Sequence, residues 1–201
     1  MPVRPLVLAS ASPARLGLLR AAGLDPAVVV SGVDETSVQA ASTGELVREL
    51  AVRKARAVAG GPVPPDALVV GCDSLLELDG AALGKPASGA EARERWRRMR
   101  GRTGTLLTGH CVVDVPSGRE VSGVAATQVR FGTPSDAEVD AYVASGEPLH
   151  VAGAFTLDGR SAPYVEGIDG DPGNVIGLSL PLLRRLLAEL GVAVHELWRA
   201  P

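Results

Sequence analysis

The feature that most constrains this chain is a repeated change of hydrophobic periodicity. Short apolar runs end in polar residues, and amphipathic segments follow. Residues 6–19, LVLASASPARLGLL, show the pattern first: residues 6–9 read as a short buried strand, and residues 14–22 as a helix that ends before Gly23. Strands that alternate with helices in this way are typical of α/β proteins.

The remaining elements follow from apolar runs, which predict strands, and from serine-to-glutamate capping signals, which predict helices. The predicted strands are residues 6–9, 27–30, 67–70, 105–115 and 120–131, with a hairpin over 75–83 that turns at Asp79 and Gly80. The predicted helices are residues 14–22, a segment from the Ser42 cap to about Ala59, a segment after the Ser88 cap, one from Ser135 to near Gly146, and residues 181–190; residues 152–168 are predicted as strand and loop. We therefore expect an α/β fold with a mixed sheet flanked by helices.

The chain length limits the number of domains. With 201 residues, 46% of them hydrophobic, we expect a single domain over residues 1–201, with one core or two lobes that share one core.

The sequence also carries signals about location. No apolar run is long enough to span a membrane, and the N-terminus lacks the pattern of a secretory signal. These features predict a soluble, cytoplasmic protein. Cys72 and Cys111 lack metal-binding or disulfide spacing and are predicted to be buried.

The charge pattern argues against nucleic acid as a partner. The net charge is −3 and aromatic residues make up only 3%. One segment, residues 93–102, is rich in arginine. However, Ala92, Trp96 and Met99 have the spacing of a core face, and Glu91–Arg95 and Glu94–Arg98 are supportive i, i+4 pairs. We therefore interpret this segment as a solvated helix.

The turn after the first strand has the residues of a phosphate site. The hydroxyls of Ser10 and Ser12, the guanidinium of Arg15 and the N–H groups of the first helix would together suit a phosphate. An ordinary helix cap by Ser12, with Pro13 at the first helical position, explains the same residues.

Carboxylates and lysines follow further along. Asp34 and Glu35 come after the second strand and Asp73 after the third, so one of the first pair together with Asp73 could hold one hard cation such as Mg²⁺. A solvated loop is the alternative for Asp34 and Glu35. Lys54 lies in the apolar stripe of its helix, where it either reaches the core edge or binds a phosphate, and Lys85 in Gly-Lys-Pro could bind the phosphate from another side.

These motifs together resemble the Maf family of nucleoside triphosphate pyrophosphatases. The likeness covers nearly the whole chain and is carried by LASASPARLGLL, GVDET, LAVRKARA, VVGCDSLLELDG, GKP, YVASGEP, AGAF and DPGNVIGLSLPLL. It implies hydrolysis of the bond between the α- and β-phosphates, with a divalent cation, Mg²⁺ or Mn²⁺, in an α/β cleft. It also suggests a homodimer.

The resemblance assigns roles by position. Ser10, Ser12 and Arg15 would grip the triphosphate, Glu35 and Asp73 would serve the metal and the attacking water, and Asp73 would be the general base. Lys54 and Lys85 would neutralise the phosphates.

The resemblance does not assign the nucleotide base that the protein prefers. Ser74 and Asp158 occupy the selectivity positions but match neither the pyrimidine-preferring nor the 7-methylguanosine-preferring branch, and Ala14 replaces a larger side chain of many members. Two alternatives to the leading hypothesis are a nucleotide-binding regulator of septum formation without significant turnover, and a pyrophosphatase for deaminated purine nucleotides.

Overall fold

The structure is a computed structural model that describes residues 3–199. The strands are β1 (Leu6–Leu8), β2 (Ala27–Val28), β3 (Leu68–Leu78), β4 (Ala81–Leu83), β5 (Thr103–Asp114), β6 (Arg119–Phe131) and β7 (Val165–Asp169). The α-helices are α1 (Pro13–Ala21), α2 (Thr43–Ala59), α3 (Gly89–Met99), α4 (Asp136–Ala144), α5 (Pro172–Ile176) and α6 (Leu180–Glu189). Short 3-10 helices cover Glu35–Ser37, Glu147–His150, Ala152–Ala154, Ala162–Tyr164 and Val194–Leu197.

The strands form one mixed sheet, as the sequence predicts. Its order is β2-β1-β3-β5-β6-β7, with β4 paired to β3. Strand β1 runs parallel to both neighbours, so that Val7 lies opposite Ala27 on one side and Val69 on the other. The β3–β4 and β6–β7 pairs are antiparallel. The predicted α/β class is therefore confirmed.

The described residues divide into two units along the chain. The first unit holds residues 3–73, 108–125 and 177–199, and the second holds residues 74–107 and 126–176. Helices α1, α2 and α6 belong to the first unit, and α3, α4 and α5 to the second. Strands β3, β5 and β6 pass from one unit into the other.

The core of the first unit has two clusters, because side chains alternate along β1. Leu6 and Leu8 pack in a cluster with α1 and α6. Val7 and Ala9 pack in the other cluster, which includes the apolar face of α2. Helix α2 therefore packs directly on strands β1 and β3.

The core of the second unit centres on Trp96 of α3. Its ring makes edge contacts with Phe131, Tyr142 and Tyr164, and its indole N–H donates to the carbonyl of Ala154. The predicted core face of the arginine-rich helix is thus confirmed.

Several predicted elements differ in the structure. The predicted strand at 27–30 is only Ala27–Val28 and is exposed. The separate strand at 67–70 and the first arm of the hairpin are one continuous strand, β3, so Asp73 lies within a strand and not after one. The expected Glu94–Arg98 pair is wrong, because Glu94 lies 3.8 Å from Arg97 instead.

Within residues 3–199, no helix is both long and apolar enough to cross a membrane.

Candidate active site

The turn between β1 and α1 is organised by its two serines. Ser12 is the N-cap of α1, where its hydroxyl accepts from the N–H of Arg15 at 3.4 Å, and Pro13 follows as the first helical residue. The hydroxyl of Ser10 accepts from the N–H of Ser12 at 3.2 Å and from Arg15 Nη1 at 3.0 Å. The capping interpretation of Ser12 is confirmed, and Ser10 is directed at Arg15.

The guanidinium of Arg15 also binds two main-chain carbonyls. Nη1 donates to the carbonyl of Cys72 at 2.9 Å, and Nε donates to the carbonyl of Gly177 at 2.8 Å. Arg15 is thereby fixed beside the residue that precedes Asp73. We did not predict these two acceptors, since main-chain carbonyls carry no signal in a sequence.

A buried cluster of opposite charges is the central feature of the first unit. Lys54 Nζ lies 2.5 Å from Asp73 Oδ1 and 2.6 Å from Glu35 Oε1. The side chains of Lys54 and Asp73 are only 11% and 10% exposed, whereas that of Glu35 is 55% exposed. Glu35 therefore lies at the solvent-facing edge of the cluster, beside the buried ion pair of Lys54 and Asp73. Three of the predicted site residues meet here.

Two glycines allow α2 to bring Lys54 this close. A Cβ at Gly71 of β3 would lie 2.8 Å from Ala55 N and would also collide with the carbonyl of Ala51. A Cβ at Gly109 of β5 would lie 2.6 Å from Arg48 N. The backbone of α2 thus lies directly on the sheet. An isolated glycine within a strand pattern is the sequence signal for such a close approach.

Asp34 has a local structural role. It is the N-cap of the 3-10 helix Glu35–Ser37, and its Oδ1 accepts from the N–H of Thr36 at 3.0 Å and from the Thr36 hydroxyl at 2.7 Å. This turn presents the next residue, Glu35, to Lys54. The two adjacent acids therefore divide into a capping residue and a residue of the charged cluster.

The surroundings change the acidity of two groups. Burial raises the pKa of the Asp73 carboxyl above its ordinary value, and the positive charges of Lys54 and Arg15 offset part of that rise. Burial also raises the pKa of the adjacent Cys72 thiol to about 11. Asp73 is therefore a stronger base than an exposed aspartate, and Cys72 is a neutral thiol at physiological pH.

The other predicted site residues belong to the second unit. Lys85 is exposed in the turn after β4, and Ser74 is half-buried in β3. Asp158 is exposed and accepts a hydrogen bond from the hydroxyl of Thr156. The roles of these three residues stay predictions.

Comparison with known proteins shows the family of the chain. A model of the family described as Maf-like protein matches residues 5–190. Proteins named nucleoside triphosphate pyrophosphatase are 68% identical over 197 residues in Streptomyces coelicolor and 65% identical in Streptomyces avermitilis, each covering 98% of this chain and 96% of the relative. One from Salinispora tropica is 58% identical over 98% of this chain and 88% of its own length.

A solved structure of a HAM1 protein from Coxiella burnetii is also similar, with a TM-score of 0.44 and 17% identity over 64% of this chain and 73% of that one. That likeness is too low to support a statement about this chain. The family match and the high identities over nearly the whole length are sufficient by themselves. The chain belongs to the family of Maf-like proteins.

Proposed function

We propose that this protein hydrolyses nucleoside triphosphates to a nucleoside monophosphate and pyrophosphate. Relatives that are 58–68% identical carry the name nucleoside triphosphate pyrophosphatase. The observation that carries the proposal is the cluster of Glu35, Lys54 and Asp73, in which a buried carboxylate is held by an ammonium. A site that only bound nucleotides would need the cation but not a buried carboxylate.

Asp73 is the proposed general base. Because its pKa is raised, its carboxylate takes a proton from water more readily than an exposed aspartate would. The ammonium of Lys54 at 2.5 Å favours the ionised form of this carboxyl before the reaction. The water oxygen forms a bond to phosphorus, its proton passes to Asp73, and pyrophosphate leaves with the electrons of the broken P–O bond.

The two carboxylates of the cluster are also the proposed ligands of a divalent cation. Oxygens of Glu35 and Asp73 lie 2.6 Å and 2.5 Å from Lys54 Nζ, so the two carboxylates are close neighbours, and the ammonium fills the position between these two oxygens. Mg²⁺ typically takes one or two protein carboxylates and completes its shell with water and phosphate oxygens. When bound, Mg²⁺ or Mn²⁺ would stabilise the negative charge that develops on the phosphoryl oxygens.

Hydroxyl groups and positively charged side chains are proposed to recognise the triphosphate. Ser10, Ser12 and Arg15 lie at the N-terminus of α1, where N–H groups favour anions. Lys54 and Lys85 would offset further phosphate charge. Ser74 and Asp158 would contact the base. We retain the predicted homodimer and cytoplasmic location as parts of the proposal.

The alternative function is a nucleotide-binding regulator of septum formation without significant turnover. The test is to incubate the purified protein with Mg²⁺ and a panel of standard, methylated and deaminated nucleoside triphosphates, and to quantify monophosphate and pyrophosphate. We expect equal amounts of the two products from at least one nucleotide. Tight binding with no product would refute hydrolysis and favour the regulator.

A further inference from the structure

The backbone of the turn that carries Lys85 is held at both ends. At its start, the carbonyl of Gly84 accepts from Arg95 Nη1 and, at 3.0 Å, from the N–H of Gly153. At its end, the N–H of Ala87 donates to Glu91 Oε2 at 2.8 Å. Two side chains of α3, Glu91 and Arg95, therefore bind the backbone on either side of Lys85.

Glu91 and Arg95 also bind each other. Arg95 donates to Glu91 Oε1 from Nη2 at 2.5 Å and from Nε at 3.1 Å, and the Arg95 side chain is only 11% exposed. The N–H of Ala87, followed by Arg95, lowers the pKa of the Glu91 carboxyl. Glu91 is therefore a carboxylate at neutral pH, and two hydrogen bonds from Arg95 fix its position.

Burial of an arginine is not explained by stability alone. Burying charges costs solvation free energy, and an apolar side chain of similar volume often stabilises a fold equally well. An apolar residue at position 95 could not, however, donate to the carbonyl of Gly84. Arg93 and Arg100 of the same segment also pair with acidic side chains, Asp140 and Asp136 respectively, but neither binds the carbonyl of Gly84. The feature that distinguishes Arg95 is its bond to the turn.

Lys85 itself is exposed. Among residues 3–199, the structure gives its ammonium no ion pair or side-chain hydrogen bond. Its backbone is fixed while its charge is unpaired. A ligand-binding group on a pre-organised backbone loses less entropy when the ligand binds.

We propose that Glu91 and Arg95 are positioning residues that hold the Lys85 turn ready for an anionic ligand, the phosphates of the nucleotide. This inference rests on the proposed function for the identity of the ligand. It assigns to the arginine-rich helix a role in substrate affinity that neither core packing nor surface solvation explains.

The test is a double-mutant cycle of Arg95→Met and Lys85→Met. We measure kcat and KM for pyrophosphate release, and by calorimetry the Kd of a triphosphate with a methylene bridge between its α- and β-phosphorus atoms. Arg95→Met is expected to raise both KM and Kd by roughly two- to tenfold, the usual effect of one group that is no longer ordered in advance. Its kcat should be unchanged. In the Lys85→Met background, Arg95→Met should change neither KM nor Kd further.

The matched control is Arg98→Met, an exposed arginine on the same helix, which should leave KM and Kd at the wild-type values. Equal effects of Arg95→Met with and without Lys85 would overturn the proposal, as would a Lys85→Met variant with wild-type Kd. If Arg95→Met does not fold, Glu91→Gln replaces it in the same cycle with the same expected outcome. Absence of pyrophosphate release by the wild type would refute the proposed function alone, because the cycle in Kd still decides the positioning role.

Discussion

Replacement of Gly71 by alanine should both destabilise the fold and slow the reaction. The new Cβ would lie 2.8 Å from Ala55 N and 2.9 Å from the Ala55 methyl group, whereas ordinary contacts begin near 3.4 Å. It would also collide with the carbonyl of Ala51, which is helix backbone and cannot rotate away. Helix α2 must therefore move from the sheet by at least about half an ångström.

The sizes of both losses follow from the buried residues of α2 and from the position of Lys54 on this helix. Ala51, Ala55 and Val58 of this helix are almost completely buried, so over-packing should cost about 1–3 kcal/mol of unfolding free energy. The same movement lengthens the contact between Lys54 and Asp73, now 2.5 Å. Since a displacement of about 1 Å can cost a hundredfold in rate, we expect kcat to fall by roughly tenfold.

Urea unfolding and steady-state pyrophosphate release measure the two effects. The control is Gly17→Ala in α1, where no atom lies within 4 Å of the new Cβ. This variant should keep the wild-type rate and gain about 0.5–1 kcal/mol, because alanine suits a helix interior better than glycine. A Gly71→Ala protein with wild-type stability and rate would show that close packing of α2 does not position Lys54.

Three further perturbations test individual interactions. Because the folded-state pKa of Asp73 is raised, the wild type should lose stability as pH rises from the unfolded-state pKa, about 4, through the folded-state pKa. Asp73→Asn lacks this titration, so its stability relative to the wild type should increase as urea titrations move upward from about pH 4; a difference that does not change with pH would contradict the burial effect. With its pKa near 11, Cys72 should react with iodoacetamide at pH 8 roughly a hundredfold more slowly in the native than in the urea-unfolded protein, and equal rates would refute its burial. Ser135→Ala removes one half of the capping box of α4 and should cost about 1 kcal/mol in thermal or urea unfolding; an unchanged midpoint would mean that this cap contributes nothing.

Local periodicity predicted much of the fold. Helix α2 was predicted from its cap at Ser42 and from an apolar stripe that contained one lysine, and Lys54 does lie on the buried face. The turn at Asp79 and Gly80 was also predicted, since both residues adopt the positive φ that such turns need. These features depend on neighbours in the sequence, which is why the sequence sufficed.

The predictions failed where contacts between residues far apart in the sequence determine the structure. Asp73 was predicted to follow a strand, but β3 continues through it because hydrogen bonding across a sheet is not a local property. The partners of Arg15 are carbonyls 57 and 162 residues away along the chain, and no side-chain pattern marks them. The ion pairs of Lys54 with Glu35 and Asp73 were likewise not derivable, although all three residues had been selected as candidates.

The most direct test of the account is product analysis for the wild type, Asp73→Asn and Glu49→Gln, with Mg²⁺ and the best nucleotide of the panel. Glu49 is a matched control, because it is an acidic residue that pairs on α2 with Arg53, away from the buried cluster. We expect the wild type and Glu49→Gln to release monophosphate and pyrophosphate in equal amounts, and the folded Asp73→Asn protein to release neither. Wild-type turnover in Asp73→Asn would contradict the assignment of the buried carboxylate as the base.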